Sequence, residues 1–178
     1  MESRYSDLDI RIGKEEVELL LETGIINKNY QLESISADAN VITRLLFALL
    51  WKTGDLVKLK PVIAGILADD SRKESGLVYQ QFGRFLSGDP AEPIIDQHII
   101  RAFGIYQSGE DMEKQQYYQQ LTTLGKQDLA IINGYKQWLK KDLRKSLREQ
   151  DGYTYHVDKV LFAVGKMVKS RDNRSYNS

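Results

Sequence analysis

The sequence predicts an all-α protein in which seven or eight helices pack as one compact unit of 178 residues. Apolar residues recur at spacings of three and four in most segments, which is the periodicity of an amphipathic helix. The composition, 42% hydrophobic and 28% charged, is that of a globular protein able to bury a core. No internal repeat and no linker rich in proline or serine divides the chain, so a single domain is expected over residues 1–178.

Four helices are predicted in the first half of the chain. They cover residues 14–23, 38–53, 56–67 and a segment through Tyr79 that ends near Gly88. Gly24 and Gly54 end the first two, because glycine readily adopts the left-handed conformation that follows a helix. The second helix has the strongest pattern, since six aliphatic residues between Val41 and Leu50 recur at helical spacing.

Four more helices are predicted in the second half, at residues 96–106, 110–124, 128–149 and 157–168. The segment 110–124 is polar and rich in glutamine, so it is expected to be a surface or mobile helix. The segment 128–149 is expected to be one long helix with a buried stripe that includes Trp138. Residues 170–178 are expected to form a disordered tail.

Composition and motifs exclude several classes of chemistry. The chain has no cysteine, which rules out disulfides, a thiolate nucleophile and cysteine-bound metal clusters. It has two histidines, His98 and His156, which are too few for a histidine-rich metal site within one chain. Phosphate-binding glycine loops and the signatures of zinc proteases and serine hydrolases are also missing. No metal and no cofactor is therefore predicted.

The N-terminal segment and the apolar runs are used to predict the cellular location of the protein. Residues 1–7 contain no apolar core, so no signal peptide is visible. The longest apolar run, residues 45–51, is much shorter than the roughly 20 residues that a membrane span needs. A cytoplasmic protein with no membrane partner is expected.

Residues 93–104 are the most informative segment, because a proline-bounded loop there leads to Asp96 at the start of an amphipathic helix. His98 and Arg101 follow on the same helix. The first backbone N–H groups of a helix have no partner within it, so they can keep a carboxylate ionised beside a ligand. The same arrangement also describes a simple N-cap. From the residues alone, Asp96 has either a catalytic or a structural role.

This segment resembles the aspartate motif of the helix-hairpin-helix DNA glycosylase superfamily. The family pattern is an aliphatic residue, aspartate, any residue, histidine, an aliphatic residue and then often arginine. It is matched by Ile95, Asp96, Gln97, His98, Ile99 and Arg101. The preceding helix and loop, with Pro93, are similar to the family's approach to its aspartate. The resemblance implies a two-lobed helical fold in which Asp96 stabilises the cationic sugar as a base departs, with His98 and Arg101 in support.

Two features of the family pattern are missing. No Gly-x-Gly turn precedes Asp96 to grip a phosphate, and the nearest candidate for a lysine nucleophile, Lys73, lies several residues too far back. A Schiff-base mechanism is therefore not expected. A monofunctional glycosylase needs only the aspartate, so this is the activity that the resemblance implies.

Trp51, Lys52 and Asp55 flank the break between the second and third predicted helices. Together they offer a platform on which a base could stack beside a phosphate contact. Alternatively, Trp51 is buried at the helix corner, Lys52 interacts with the helix C-terminus, and Asp55 caps the next helix. The alternative is favoured, because each residue then follows a local rule.

Cations are concentrated in the last third of the chain. The whole sequence has 25 basic and 25 acidic residues, but residues 126–178 hold twelve and six, a net charge of +6. The long predicted helix carries a basic stripe formed by Lys136, Lys140, Lys141, Arg144, Lys145 and Arg148. Such a stripe is either a phosphate-binding surface or a solvated helix face.

Two functions follow from these features. The first is DNA binding, extended to base excision if Asp96 is catalytic. The second is a non-catalytic helical domain that retains the fold and binds a protein partner.

Overall fold

The computed structural model describes residues 10–33, 39–69, 76–89 and 92–175, with side chains up to Lys169. Within these ranges the chain is mostly helical and forms no sheet, although Ile26 and Leu32 make an isolated antiparallel bridge. The all-α class is therefore confirmed. Backbone contacts define two compact units: the N-terminal unit, Asp9–Asp89, and the C-terminal unit, which includes Pro90–Ser178. The single domain stays a prediction.

Within its described residues, 10–33, 39–69 and 76–89, the N-terminal unit contains four helices and one 3-10 turn. These are α1 (Lys14–Glu22), α2 (Val41–Thr53), the turn Asp55–Lys58, α3 (Leu59–Ile66) and α4 (Leu77–Leu86). Helix α2 ends at Gly54, whose φ of 72° confirms the left-handed glycine expected there. It begins after Asn40, whose side chain accepts a hydrogen bond from the Thr43 N–H at 2.9 Å. The predicted start, Asp38, lies outside the described residues.

Helices α3 and α4 pack so closely that glycine is required on both. An added Cβ at Gly65 would lie 2.0 Å from the Gln80 carbonyl oxygen, and one at Gly83 would lie 2.0 Å from that of Val62. The core of the unit is formed by Val17, Ile26, Ile63, Ile66 and Leu86. The two helices therefore meet backbone to backbone beside a small aliphatic core.

Helix α2 forms where its pattern predicts a helix, but it does not bury its apolar face. None of its residues is buried, and Leu45 and Leu49 are 60% and 61% exposed. Its main contact among the described elements is with the adjoining 3-10 turn. Periodicity specifies a helix and its apolar face, but it does not specify what covers that face.

The C-terminal unit is built around one central helix. Its helices are α5 (Gln97–Ser108), α6 (Met112–Gln120), α7 (Leu129–Gln137), α8 (Lys145–Arg148) and α9 (Tyr153–Ser175). Helix α5 packs most extensively on α9 and α6. The core is formed by Ile95, Ile99, Ile100, Phe103, Leu121, Ile132, Tyr135, Leu139 and Leu143. Helix α9 runs past the predicted end at Val168, so the first part of the expected tail is helical, and residues 176–178 lie outside the described residues.

The long helix predicted over residues 128–149 is wrong, because the segment breaks in its middle. A π-helical turn, Trp138–Asp142, follows α7, and Leu143 is extended with ψ at 139°. The break lets both Leu139 and Leu143 enter the core. Arg148 stabilises it by donating hydrogen bonds to the carbonyl oxygens of Leu143 at 2.9 Å and Lys140 at 2.8 Å.

Candidate functional site

Asp96 is the N-cap of α5. Its Oδ1 accepts hydrogen bonds from the backbone N–H groups of His98 at 2.7 Å and Ile99 at 2.9 Å, and its own backbone is extended. The side chain is half-buried. The structural interpretation of Asp96 is confirmed, and its catalytic role stays a prediction.

Capping gives a direct expectation for two substitutions at this position. Asp96→Ala removes both acceptor contacts and should lower the free energy of unfolding by about 0.5–2 kcal/mol. Asp96→Asn keeps an amide oxygen in the same place and should leave stability nearly unchanged, because asparagine caps as well as aspartate. Chemical denaturation of both variants checks this. Equal losses for alanine and asparagine would contradict the capping role.

Arg101 is fully buried, at 0% exposure, and joins three parts of the C-terminal unit. Its Nη1 lies 2.7 Å from His98 Nδ1 and donates to the Gly165 carbonyl at 2.9 Å, while Nη2 donates to the Leu121 carbonyl. Burial lowers the pKa of the guanidinium, and the negative charge of Asp96 opposes that shift. Arg101 thus supports the segment by tying α5 to α9 and to the end of α6.

The imidazole of His98 is neutral and accepts a hydrogen bond from Arg101. Burial is the largest cause of its lowered pKa, and the positive charge of Arg101 acts in the same direction, whereas Asp96 raises it. Because Nδ1 faces an Arg101 N–H, that nitrogen must be unprotonated. The ring also meets Phe162 edge-on, with centroids 5.1 Å apart. His98 therefore orients Arg101.

The sequence analysis missed Asp158, a buried carboxyl beside this segment. It is 1% exposed, accepts a hydrogen bond from the Ile94 N–H at 2.8 Å, and pairs with the Tyr135 hydroxyl. Burial raises its pKa to about 7, and the nearby charge of Asp96 adds to the shift. The available signal was its position on α9 one turn before Leu161, which packs against the core.

The corner after α2 does not form the expected cluster. Trp51 is 68% exposed, so the interpretation of a buried tryptophan is wrong. Asp55 pairs with Lys58 rather than Lys52 and accepts a hydrogen bond from the Thr53 hydroxyl at 2.9 Å. These two contacts lower the pKa of Asp55. Trp51 and Lys52 belong to the N-terminal unit, whereas Asp96 belongs to the C-terminal unit.

The predicted basic stripe is split by the break after α7. Lys136 forms an ion pair with Glu92 at 2.5 Å, and Lys140 lies 3.9 Å from the same carboxylate. Arg148 is engaged by backbone carbonyls, as described above. On the short helix α8, Lys145 pairs with Glu149 at 3.6 Å.

Two cations of the predicted basic stripe are exposed to solvent. Lys141 and Arg144 are exposed, and within the described ranges neither side chain makes a hydrogen bond or ion pair. These two residues are the part of the stripe that can meet a phosphate without breaking an internal contact.

A cavity of about 450 Å³ opens beside the broken helix. Its walls include aromatic rings and three polar side chains: Phe103, Tyr118, Trp138, Gln107, Gln137 and Asp142. The rings of Phe103 and Trp138 are tilted at 52° with centroids 5.5 Å apart. The cavity was not predicted, because its walls come from α5, α6, α7 and the π-helical turn. Its volume falls within the range of about 300–1,000 Å³ typical of small-molecule sites.

Over residues 10–33, 39–69, 76–89 and 92–175, no group of three or more histidine or acidic side chains is arranged to hold a metal ion. Across the same residues no helix has the length and apolar character needed to cross a membrane. Comparison with known proteins finds no significant match to this chain among family models, curated proteins or solved structures.

Proposed function

We propose that this chain is a nucleic-acid-binding protein that uses the cavity beside the broken helix. The observation that carries the proposal is the junction of two features in one turn. Trp138 and Asp142 line the cavity, and Lys141 lies between them on the exposed side of the π-helical turn. Arg144 follows two residues later. The aromatic wall of the cavity and the exposed cations therefore lie within a few residues of each other in the sequence.

The chemistry of this junction suits an unpaired nucleotide. Aromatic rings stack on the face of any base, and cations beside them contact the phosphate backbone. The side-chain amides of Gln107 and Gln137 and the Asp142 carboxylate can bond to base edges. An exposed base of a single strand or an extruded base therefore fits better than an intact duplex.

Base excision at Asp96, with the glycosylase-like two-lobed arrangement, is the stronger form of this proposal. Its support is the motif around Asp96 and the placement of His98 and Arg101 on the same helix. The cavity lies elsewhere: it uses Phe103 and Gln107, and Gln107 is about 16 Å along α5 from Asp96 at 1.5 Å per residue. Nucleic-acid binding without excision is therefore the form we favour.

Fluorescence anisotropy across a salt series tests the proposal, with a labelled single strand, an intact duplex and a duplex carrying an abasic-site analogue. The double variant Lys141→Gln/Arg144→Gln should weaken binding to the single strand. It should also reduce the slope of log K against log salt by about 1.4, because each phosphate contact contributes about 0.7. A control, Lys126→Gln/Lys166→Gln, removes the same charge from exposed positions of the same unit and should keep the slope.

The outcomes separate the forms of the proposal. Preference for the abasic analogue, together with excision that Asp96→Asn abolishes, would support a glycosylase. Binding to the single strand that Asp96→Asn leaves unchanged would support binding alone. Failure to bind any of the three at low salt would reject both.

A non-catalytic domain that binds a protein partner is the second candidate. The observation that favours it is the internal use of the residues expected to meet DNA. Asp96 caps α5, Lys136 pairs with Glu92, and Arg148 holds backbone carbonyls. If the oligonucleotides do not bind, binding of a protein partner becomes the favoured function.

A further inference from the structure

Asp142 gives the cavity beside the broken helix a carboxylate that the protein itself does not use. The residue lines the cavity and is exposed, and in the described part of the chain its side chain makes no hydrogen bond or ion pair. Lys141, Arg144 and Lys145 are close in the sequence, but Lys145 pairs with Glu149 instead. An ionised carboxylate only accepts hydrogen bonds. A ligand with two neighbouring N–H groups would therefore match Asp142.

Gly134 leaves another part of the cavity wall without a side chain. It lies inside α7, and its φ is not positive. Among the described residues, a Cβ added there would meet only the ring of Phe103, at 4.0 Å, whereas one added at Gly165 would lie 1.9 Å from the His98 carbonyl oxygen. Alanine is more favourable than glycine inside a helix. The packing of the protein thus accounts for Gly165 but not for Gly134, and a flat ligand lying against α7 would account for it.

Guanine is the unpaired base whose edge matches this wall. It carries two adjacent donors, N1–H and the N2 amino group, and the two oxygens of a carboxylate can accept both at once. Adenine and cytosine place an acceptor nitrogen beside their amino group, and thymine places a carbonyl oxygen on each side of its N–H. Each of these bases would therefore set a lone pair against the carboxylate. The side-chain amides of Gln107 and Gln137 can donate to guanine O6 or N7.

We propose that the cavity binds a guanine base of a single strand, with its ring beside Trp138 and Gly134 and its two donors on Asp142. This inference rests on the proposed nucleic-acid-binding function and names the base that the cavity recognises. Lys141 and Arg144 contact the adjoining phosphates. The same two cations repel a positively charged ligand, which aromatic rings and a carboxylate would otherwise suit. In an intact duplex this edge of guanine is paired with cytosine, so a duplex does not present it.

Fluorescence anisotropy with the full chain tests this inference. The probes are labelled strands of one length: an all-thymine strand, and strands in which every third thymine is replaced by guanine, adenine, cytosine or hypoxanthine. The wild type should bind the guanine strand at least about fivefold more tightly than the adenine, cytosine and all-thymine strands. The hypoxanthine strand should bind with intermediate affinity, because hypoxanthine lacks the N2 amino group.

Three variants assign the preference to the cavity. Asp142→Asn should remove the preference for guanine without weakening binding to the all-thymine strand, because an amide offers one acceptor oxygen in place of two. Asp151→Asn removes the same charge at an exposed position of the same unit and should keep the preference. Gly134→Met should weaken binding to the guanine strand about fivefold or more, because its side chain takes the place of a stacked base.

A stability measurement shows whether Gly134→Met acts through the cavity or through the fold. Its midpoint of thermal unfolding should not fall, because methionine is a better helix former than glycine. A lower midpoint together with unchanged binding to the guanine strand would contradict the place assigned to Gly134.

The outcomes separate this inference from the proposed function. Equal affinity for all five strands, with binding that Lys141→Gln/Arg144→Gln weakens, would overturn the guanine site and leave nucleic-acid binding in place. A preference for guanine that Asp142→Asn retains would also overturn it, because another group would then read the base. Failure to bind any strand at low salt would reject both.

Discussion

Replacing Arg101 with methionine is expected to lower the free energy of unfolding by about 2–4 kcal/mol, because two interior hydrogen bonds from a charged group are lost. The carbonyl oxygens of Gly165 and Leu121 both accept hydrogen bonds from the guanidinium in the interior, and methionine removes both of these bonds. The loss also removes the link between α5 and α9. For a chain of this length the midpoint of thermal unfolding should fall by roughly 10 °C.

Two further substitutions show whether the geometry or the charge of Arg101 is responsible for its contribution to stability. Arg101→Lys keeps the charge but cannot reach acceptors on three elements with one ammonium group, so it should recover less than half of the loss. Arg144→Met removes an exposed arginine from the same unit and should change stability by no more than about 0.5 kcal/mol. Equal stability of the Arg101→Met and Arg144→Met variants would contradict the role assigned to Arg101.

Asp158 is expected to make the protein less stable as pH rises. Its pKa is about 7 in the folded chain against an ordinary value of 3.8, so the folded state holds its proton over that range. The stability contributed by the protonated carboxyl is fully present below pH 3.8 and is lost as pH rises to about 7. The loss at pH 8 is on the order of 4 kcal/mol.

Asparagine isolates this contribution, because it resembles the protonated carboxyl and does not titrate. In Asp158→Asn the amide oxygen can accept from the Ile94 N–H, and the NH₂ group can donate to the Tyr135 hydroxyl. The stability difference between wild type and variant, measured by denaturation at several pH values, should shift in favour of the variant by about 4 kcal/mol between pH 4 and pH 8. A difference that does not vary with pH would contradict the raised pKa.

The parts of the fold predicted correctly are those that local chemistry decides. Gly54 ends α2 because glycine adopts positive φ without strain, and Asp96 starts α5 because a carboxylate accepts from free N–H groups. Both effects involve residues within one helical turn. A sequence pattern therefore contains everything needed to predict them.

The break after Trp138 could not be predicted in this way. Lys140, Lys141 and Asp142 do not interrupt a helix by themselves, so the local pattern continues through them. The break depends on the entry of Leu143 into the core and on carbonyl contacts made by Arg148, and the core is assembled from several helices.

In the candidate site, too, features set by local sequence were predictable and features set by tertiary contacts were not. That Asp96, His98 and Arg101 share one helix was predictable from their spacing. The burial of Arg101 was not, because arginine is seldom fully buried and its acceptors, Leu121 and Gly165, are distant in the sequence. The walls of the cavity beside Trp138 likewise come from separate elements, so no single segment of the sequence predicts the cavity.

The contact between Gly65 and Gly83 has a consequence for how the N-terminal unit opens. Each glycine directs a Cα hydrogen toward a carbonyl oxygen of the other helix, so α3 and α4 are joined by main-chain atoms as well as by side chains. Two helices joined in this way are expected to exchange their amide protons as one cooperative unit. Helix α2, none of whose residues is buried, is expected to exchange its amide protons faster than α3 and α4.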